Sequence, residues 1–384
     1  MKVLMLVIDS FGIGALPDAE VFGDAGANTA LHICEAIRGE KWPALKKLGL
    51  GNASQLLGNN LPGCGVVSEP SALYGVMAER SPGKDTTTGH WELAGIVLDK
   101  PFHVFPAEYP SFPEKLIGDF LAETGCGGIL GNKAASGTEI IKELGEEHLK
   151  TGYPICYTSA DSVLQIACHK NVFPVRELYR LCETARKLCD PYYVGRVIAR
   201  PFDGEPGHFK RTPERHDFSI ELPGPSVLDE LKEKGIETIG IGKIGSIFNE
   251  QGLSVSYHDA GNPACLSRTE KVLKERTDKD RLIFVNLVDT DMLYGHRRDI
   301  TGYYRAVKKI DDYLRLFIRL LDKDDVMIVT GDHGCDPSFR GTDHTREYVP
   351  VLICRKGAPG GEFGIKSSFA AAADYIRNYF LKES

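Results

Sequence analysis

Between residues 330 and 347 the chain reads TGDHGCDPSFRGTDHTRE, placing Asp332, His333, Asp336, Asp343 and His344 among glycines, directly after the apolar run Val326 to Val329. Ionised Asp oxygen and neutral His nitrogen are the commonest protein ligands for divalent cations, so a strand end dressed this way suits a metal site. Taken alone, the segment reads equally well as a polar turn. Other strand ends repeat the pattern. Asp9 closes KVLMLVID (2 to 9), and Asp289 and Asp291 close RLIFVNLVDTD (281 to 291), with His296 five residues past Asp291. Ligands of open α/β sheets bind beyond the carboxyl ends of the strands, where residues distant in sequence meet. Each acid by itself is a turn or cap residue. Together Asp9, Asp291, His296, Asp332, His333 and His344 supply protein ligands for two ions, and an ion pair can clamp the attacking and departing oxygens of a phosphoryl transfer.

Such chemistry needs a nucleophile. SPGKDTTTGHWELAG (81 to 95) offers Thr86, Thr87 and Thr88 in a Gly-flanked loop, and metal coordination makes an alkoxide accessible at neutral pH. The residue types do not choose among the three. Anion recognition has a candidate in GRVIARPFDGEPGHFKRTPERHD (195 to 217), rich in guanidinium forks at Arg196, Arg200, Arg211 and Arg215. Asp203, Glu205, Glu214 and Asp217 are interspersed, so a salt-bridged surface is the competing reading. Gly240 to Gly245 satisfies G-x-G-x-x-G, with Asp259 near the distance of a ribose acid, yet no second half-fold follows it. It also fails as a P-loop, because Ile244 lacks the hydroxyl that motif needs.

The elements that must position these groups show in the apolar pattern. KVLMLVID, RLIFVNLVDTD, DVMIVTGDH (325 to 333) and VPVLICRK (349 to 356) are near-continuous hydrophobic runs, as in parallel strands covered on both faces, and ETIGIGK (237 to 243) is a fifth. Val307, Ile310, Leu314, Phe317 and Leu321 repeat at helical spacing, and SSFAAAADYIRNYFLKE predicts a helix capped by Ser367 or Ser368. Alternating strand and helix predicts an α/β fold with a mostly parallel sheet in three layers. Prolines cluster in KPFHVFPAEYPSFPEK (100 to 115) and ELPGPSV (221 to 227), bracketing a middle that is expected to lack long buried strands. The predicted division is a core of residues 1–103 and 224–384 with an inserted domain at 104–223.

The 384 residues suit two or three domains. A net charge of −7 excludes a broad electrostatic footprint for nucleic acid or anionic membrane. The ten cysteines are scattered from Cys34 to Cys354 with no C-x-x-C pair, as expected of reduced cytosolic thiols. The apolar run Val3 to Ile8 is too short for a signal peptide, and no uncharged stretch approaches the roughly 20 residues that span a bilayer. These features predict a soluble cytoplasmic protein, in which a local basic cluster could still bind small anions.

With VIDSFGIGALPDA, GKDTTTGHWE, YTSADSVLQIA, GRVIARPF, DTDMLYGHRRD, TGDHG and GTDHTREYVP in order over nearly the whole length, the chain resembles the bacterial phosphopentomutases of the alkaline-phosphatase superfamily. The resemblance implies an alkaline-phosphatase-like α/β core with an inserted cap and two manganese ions. Asp291, His296 and His344 would hold one ion, and Asp9, Asp332 and His333 the other. Thr86 would carry the phosphoryl group. Ser159, Asp161, Arg196, Arg200, Arg211 and Lys243 would contact the pentose phosphate. The implied reaction interconverts (deoxy)ribose 1-phosphate and (deoxy)ribose 5-phosphate through a phosphothreonine and a sugar bisphosphate, with a bisphosphate such as glucose 1,6-bisphosphate as activator. A metal-dependent phosphatase or phosphodiesterase of the same superfamily is the alternative. A phosphoglycerate mutase fits less well, because the corresponding nucleophile there is serine, and a non-catalytic sugar-phosphate sensor would not need Asp9, Thr86 and His344 intact.

Overall fold

The computed structural model describes residues 1 to 159 and 161 to 381. The chain forms two compact units, Met1–Pro101 with Pro223–Ser384, and Phe102–Leu222.

The first unit is built on an eight-stranded sheet in the order Val255–Tyr257, Glu237–Ile241, Arg281–Leu287, Lys2–Ile8, Val326–Thr330, Val349–Arg355, Leu73–Met77 and Gly361–Lys366. Its central strands are buried end to end because both faces are covered. Leu4, Leu6, Ile8, Ile283, Val285 and Leu287 join one apolar cluster with Ile33, Leu45, Val307, Ile310, Leu314 and Phe317 from helices Thr29–Ala36, Pro43–Leu48 and Ile300–Leu320. Phe284 points the other way, against Phe248 and His90. Period-two alternation thus separates two covered faces rather than core from water. The three-layer α/β core follows.

Three features depart from expectation. Val349–Arg355 runs antiparallel to both neighbours although its composition matches the parallel strands. Burial on both faces sets composition; strand direction leaves no mark on it. The C-terminal helix begins at Ala371, past Ser367 and Ser368. Ser368 instead accepts a hydrogen bond from Ala370 N at 3.0 Å and donates to the buried Glu92 at 2.8 Å. The strands Leu73–Met77, Val255–Tyr257 and Gly361–Lys366 carry glycines and polar residues that hide them from an apolar-run search.

The second unit holds a six-stranded mixed sheet with helices Glu114–Thr124, Gly137–Thr151 and Val175–Cys189. Contrary to expectation it does contain long buried strands, Val163–His169 and Arg196–Asp203, paired in parallel. Gln165, Arg196 and Arg200 interrupt their apolar runs, which is why the sequence pattern concealed them. Among the described residues no helix is long and apolar enough to cross a membrane.

Glu347 pins the loops that leave the core sheet. Fully buried, it accepts hydrogen bonds from Thr29 N (2.9 Å), Thr29 Oγ1 (2.7 Å), Thr345 Oγ1 (2.7 Å) and Gly14 N (3.2 Å). A Cβ at Gly12 or Gly334 would come within 2.3 Å of its carboxylate oxygens, so both glycines are required by its presence. Burial pushes its carboxyl from 4.5 up to about 7, only partly offset by the Thr345 and Thr29 donors. A carboxyl whose folded value is raised gives stability that is lost as pH rises from its unfolded value through its folded one. Stability relative to Glu347→Gln should therefore fall between pH 5 and pH 8, by on the order of 3 kcal/mol. Denaturant titrations of both proteins at the two pH values measure it, and a pH-independent difference would show that the carboxyl is not destabilised by burial.

Candidate metal centre

Four neighbouring parallel strands, Glu237–Ile241, Arg281–Leu287, Lys2–Ile8 and Val326–Thr330, end on one edge of the core. Adjacent strands lie about 4.8 Å apart, so residues just beyond their carboxyl ends are neighbours. Lys243, Asp291, Asp9 and the pair Asp332 and His333 leave the sheet there in that order.

The five-residue step from Asp291 to His296 needs its own device. In an α-helix such residues point roughly 140° apart. Here the chain makes a π-helical turn, Thr290–Gly295, in which His296 N–H donates to the Asp291 carbonyl at 3.4 Å. That i to i+5 bond stacks the two residues on one side. Asp291 Oδ2 consequently lies 3.3 Å from His296 Nε2, while its Oδ1 lies 3.3 Å from His344 Nε2.

Within the first unit the candidate ligand atoms form three overlapping groups, each within 4.8 Å: Asp9, Asp332 and His333; Asp291, His333 and His344; and Asp291, His296 and Cys335. His333 and Asp291 are shared, so the cluster is continuous. The rings of His296 and His344 are adjacent at 4.8 Å, yet His344 groups with His333 and His296 with Cys335. His333 and His296 donate from Nδ1 to the carbonyls of Gly334 (3.0 Å) and Thr342 (2.7 Å). This fixes Nε2 as the nitrogen each turns toward the carboxylates.

Asp9 Oδ1, Asp291 Oδ1, Asp332 Oδ2 and His344 Nε2 are buried with no hydrogen-bond partner. Buried polar atoms are normally paired. Orphans of this chemistry, converging from four chain segments, fit divalent cations. The electrostatics agree. Burial opposes charge on His333, but Asp332, then Asp9 and Asp291, push it well above the usual imidazole range. His296 is likewise disfavoured by burial yet raised to about 12, chiefly by its hydrogen bond with Asp291. Burial favours the neutral acid at Asp291, but His344 and His296 hold it well below the usual carboxylate range, and His333 and His90 lower Asp332 against the same burial. Protons on imidazole supply the positive charge that a cation would replace.

The threonines are sorted by the helix they open. Asp85 caps Thr86–Leu93, accepting from Thr87 N (3.0 Å) and Thr88 N (3.1 Å), and its second oxygen takes the Thr88 hydroxyl. Thr87 and Thr88 are buried. Thr86 is half-buried, and its Oγ1 lies 3.1 Å from His333 Nε2.

Several supporting residues escaped the sequence reading. His90, one helical turn past Thr86, bonds the Thr86 carbonyl (2.9 Å) and lies 3.1 Å from Asp332 Oδ2. The i, i+4 spacing in TTTGH was the available signal. Asn286 donates to Asp9 Oδ2 (2.9 Å) and Ser10 N to Asp332 Oδ1 (2.9 Å). Arg346, two residues past His344, reaches Glu79 Oε2 (2.8 Å) and the Ser81 carbonyl (2.8 Å), tethering the segment that leads to Thr86. Its own amide bonds Asp24, which also takes Lys84.

Within the second unit, Arg196 pairs with Asp161 (3.6 Å) and Asp217 (3.4 Å), and Arg200 Nε bonds Gln165 (3.0 Å). Burial lowers the Arg200 guanidinium from its ordinary value, with further lowering from Arg215 and Arg211, marking a concentration of positive charge. Ser159 follows the strand Ile155–Thr158, and Arg211 lies on the exposed strand Lys210–Arg211. Lys243, in the first unit, follows Gly242, whose φ of +81° turns the chain out of the sheet. The glycine motif there is thus a strand-to-helix turn, and Asp259 is bound to Arg268 at 3.0 Å.

Residues 1 to 383 match the family model of the metalloenzyme superfamily. Curated relatives named phosphopentomutase are similar over almost the whole chain. That of Caldanaerobacter subterraneus subsp. tengcongensis is 49% identical, covering 99% of this chain and 94% of its own. That of Carboxydothermus hydrogenoformans is 49% identical with 99% and 95% covered. That of Thermotoga petrophila is 48% identical with 99% and 96% covered.

Because the neighbouring carboxylates raise His333 and His296 above the usual imidazole range, cation binding should expel at least about one proton, and affinity should rise with pH. Titration calorimetry in buffers of differing ionisation enthalpy reads the release directly. Binding without proton release would contradict the charge balance described here.

Proposed function

We propose a mechanism from one premise: the chain belongs to the phosphopentomutase family of the metalloenzyme superfamily and interconverts pentose 1-phosphates and pentose 5-phosphates. Metal dependence accompanies membership. Asp9, Asp332 and His333 would hold one manganese ion, and Asp291, His296 and His344 the other. When bound, such ions stabilise charge on phosphoryl oxygens and lower the pKa of a nearby hydroxyl.

Thr86 is the phosphoryl carrier in this reading. The observation that carries it is the Thr86 hydroxyl 3.1 Å from His333 Nε2, beside buried carboxylate oxygens that accept no hydrogen bond. Thr86 opens a helix whose first-turn N–H groups favour an anion. His90 holds its carbonyl, and Arg346 holds the loop before it, so the oxygen keeps one position. Preorganisation of this kind supplies much of the rate of phosphoryl transfer.

The phosphorylated Thr86 gives its phosphoryl group to the free hydroxyl of a pentose monophosphate: the bond from phosphorus to Thr86 Oγ1 breaks as the bond to the sugar oxygen forms, and the proton lost by the sugar hydroxyl restores the Thr86 hydroxyl. A pentose 1,5-bisphosphate results. The sugar turns over, its other phosphate returns to Thr86, and the isomeric monophosphate leaves. A sugar bisphosphate such as glucose 1,6-bisphosphate would prime dephosphorylated enzyme. Water competes with the sugar hydroxyl as acceptor, so the sugar must be fixed and water kept out. Arg196, Arg200 and Arg211, with Ser159, Asp161 and Lys243, would bind the sugar and its non-reacting phosphate. The second unit is, in this reading, the inserted cap. The ten free thiols accord with a cytoplasmic setting.

Manganese-loaded protein given ribose 1-phosphate and a trace of glucose 1,6-bisphosphate should yield ribose 5-phosphate with little free phosphate. Steady stoichiometric phosphate release would instead identify a phosphatase. Thr86→Val should lower turnover by at least about 1000-fold with metal content unchanged; retained turnover would move the carrier role to another residue. Replacing both Arg196 and Arg200 with Ala should raise KM for the pentose phosphate about tenfold or more at unchanged metal content. Unaltered KM would remove them from the phosphate site.

A further inference from the structure

Asn286 interrupts the apolar run from Leu282 to Leu287 in a strand covered on both faces, and it is wholly buried. A buried side-chain amide is unfavourable unless its polar groups are paired. Here only one end is. Asn286 Nδ2 lies 2.9 Å from Asp9 Oδ2 and 3.3 Å from His90 Nε2, whereas Oδ1 is buried with no hydrogen-bond partner. The strand therefore carries this residue for what its nitrogen reaches.

Donors and acceptors along that path admit one arrangement. The Asp9 carboxylate oxygen accepts, so the amide must turn its nitrogen, not its oxygen, toward it. The same nitrogen presents a hydrogen to His90 Nε2, which accepts it and so carries no proton. The ring proton is left on Nδ1, 2.9 Å from the Thr86 carbonyl and 3.1 Å from Asp332 Oδ2, both of them acceptors. Packing keeps the ring in place. His90 stacks on Phe284 with centroids 5.7 Å and planes 20° apart, and Phe284 shares the face of the strand that Asn286 occupies two residues later.

We propose that Asn286 is a positioning residue for Thr86: by donating to both Asp9 and His90, it selects the His90 tautomer whose Nδ1–H holds the Thr86 carbonyl. Thr86 is thereby set relative to Asp9 and Asp332 by a route that does not involve its own hydroxyl. Carrier and carboxylates share one frame before any cation binds. This inference rests on the reading of Thr86 as phosphoryl carrier, which it deepens.

The tautomer can be read without turnover. Two-bond proton–nitrogen spectra of metal-free, full-length protein labelled with nitrogen-15 histidine should show His90 protonated at Nδ1 and unprotonated at Nε2. Its signals are those lost in both His90→Asn and His90→Gln. Asn286→Leu keeps bulk and removes the donor, so it should move the ring to a mixture or to the Nε2–H form. The two His90 variants separate the ring nitrogens kinetically, because an Asn amide reaches the place of Nδ1 and a Gln amide that of Nε2. At saturating manganese and unchanged metal content, His90→Gln should lower kcat by about 10- to 100-fold with KM held within about threefold. His90→Asn should recover kcat to within about threefold of the unaltered protein, and Asn286→Leu should lower it about tenfold or more. A protonated Nε2 in the unaltered protein, a tautomer or kcat indifferent to Asn286→Leu, or equal kcat in the two His90 variants would overturn the proposal. If Asn286→Leu folds poorly, the unaltered spectrum and the His90 pair decide. Retained turnover in Thr86→Val would instead overturn the carrier reading, an outcome on which the tautomer spectrum does not depend.

Discussion

Three buried carboxylates meeting at the carboxyl edge of one sheet constitute the constraint that organises this molecule. Asp9, Asp291 and Asp332 are each less than a tenth exposed, and like charges gathered away from water repel strongly. Such an arrangement persists only where positive charge is drawn among them. The carboxylates raise His333 and His296 above the usual imidazole range, which favours such charge; in the working enzyme it would come from metal. The orphaned oxygens are the trace of that requirement, and folding has to overcome it before any chemistry is possible.

Much of the surrounding structure serves to hold that edge steady. The segment after Val326–Thr330 does so repeatedly, since His344 turns into the cluster, Thr345 and Glu347 tie it to the Gly12 to Gly14 loop and the start of helix Thr29–Ala36, and Arg346 reaches the loop before Thr86. Four consecutive residues thus join the candidate metal centre, the first strand's exit and the loop that leads to the helix opened by Thr86. The anchors are far apart in sequence, so an error in one propagates to the geometry of all.

Helix Thr86–Leu93 shows how local chemistry is turned to use. Asp85 caps it and takes the Thr88 hydroxyl, leaving the Thr86 oxygen toward His333. His90, a turn later, links the same helix to Asp332. The helix is therefore tied to the centre through the backbone of the residue that would react and through the carboxylate of Asp332. Position of the hydroxyl and orientation of the ligand are one structural problem with one solution.

The sequence by itself determined the strands and their terminal acids, because burial on both faces demands unbroken apolar runs and ligand-bearing groups must stand where those runs stop. It also marked Asp9, Asp291, His296, Asp332, His333 and His344 as one group by their residue types, and its motifs carried the family. Tertiary structure alone decided the rest. Which of three threonines faces the centre depends on a cap and a partner 247 residues away. The direction of Val349–Arg355 left no compositional sign, and the arginine-bearing strand Arg196–Asp203 was hidden by the charges that make it of interest. The π-helical turn that aligns Asp291 with His296, and brings Cys335 beside them over Gly295, is a matter of backbone hydrogen bonding and close packing. Composition and spacing report what a residue can do; only the folded backbone sets which atoms come within reach of one another.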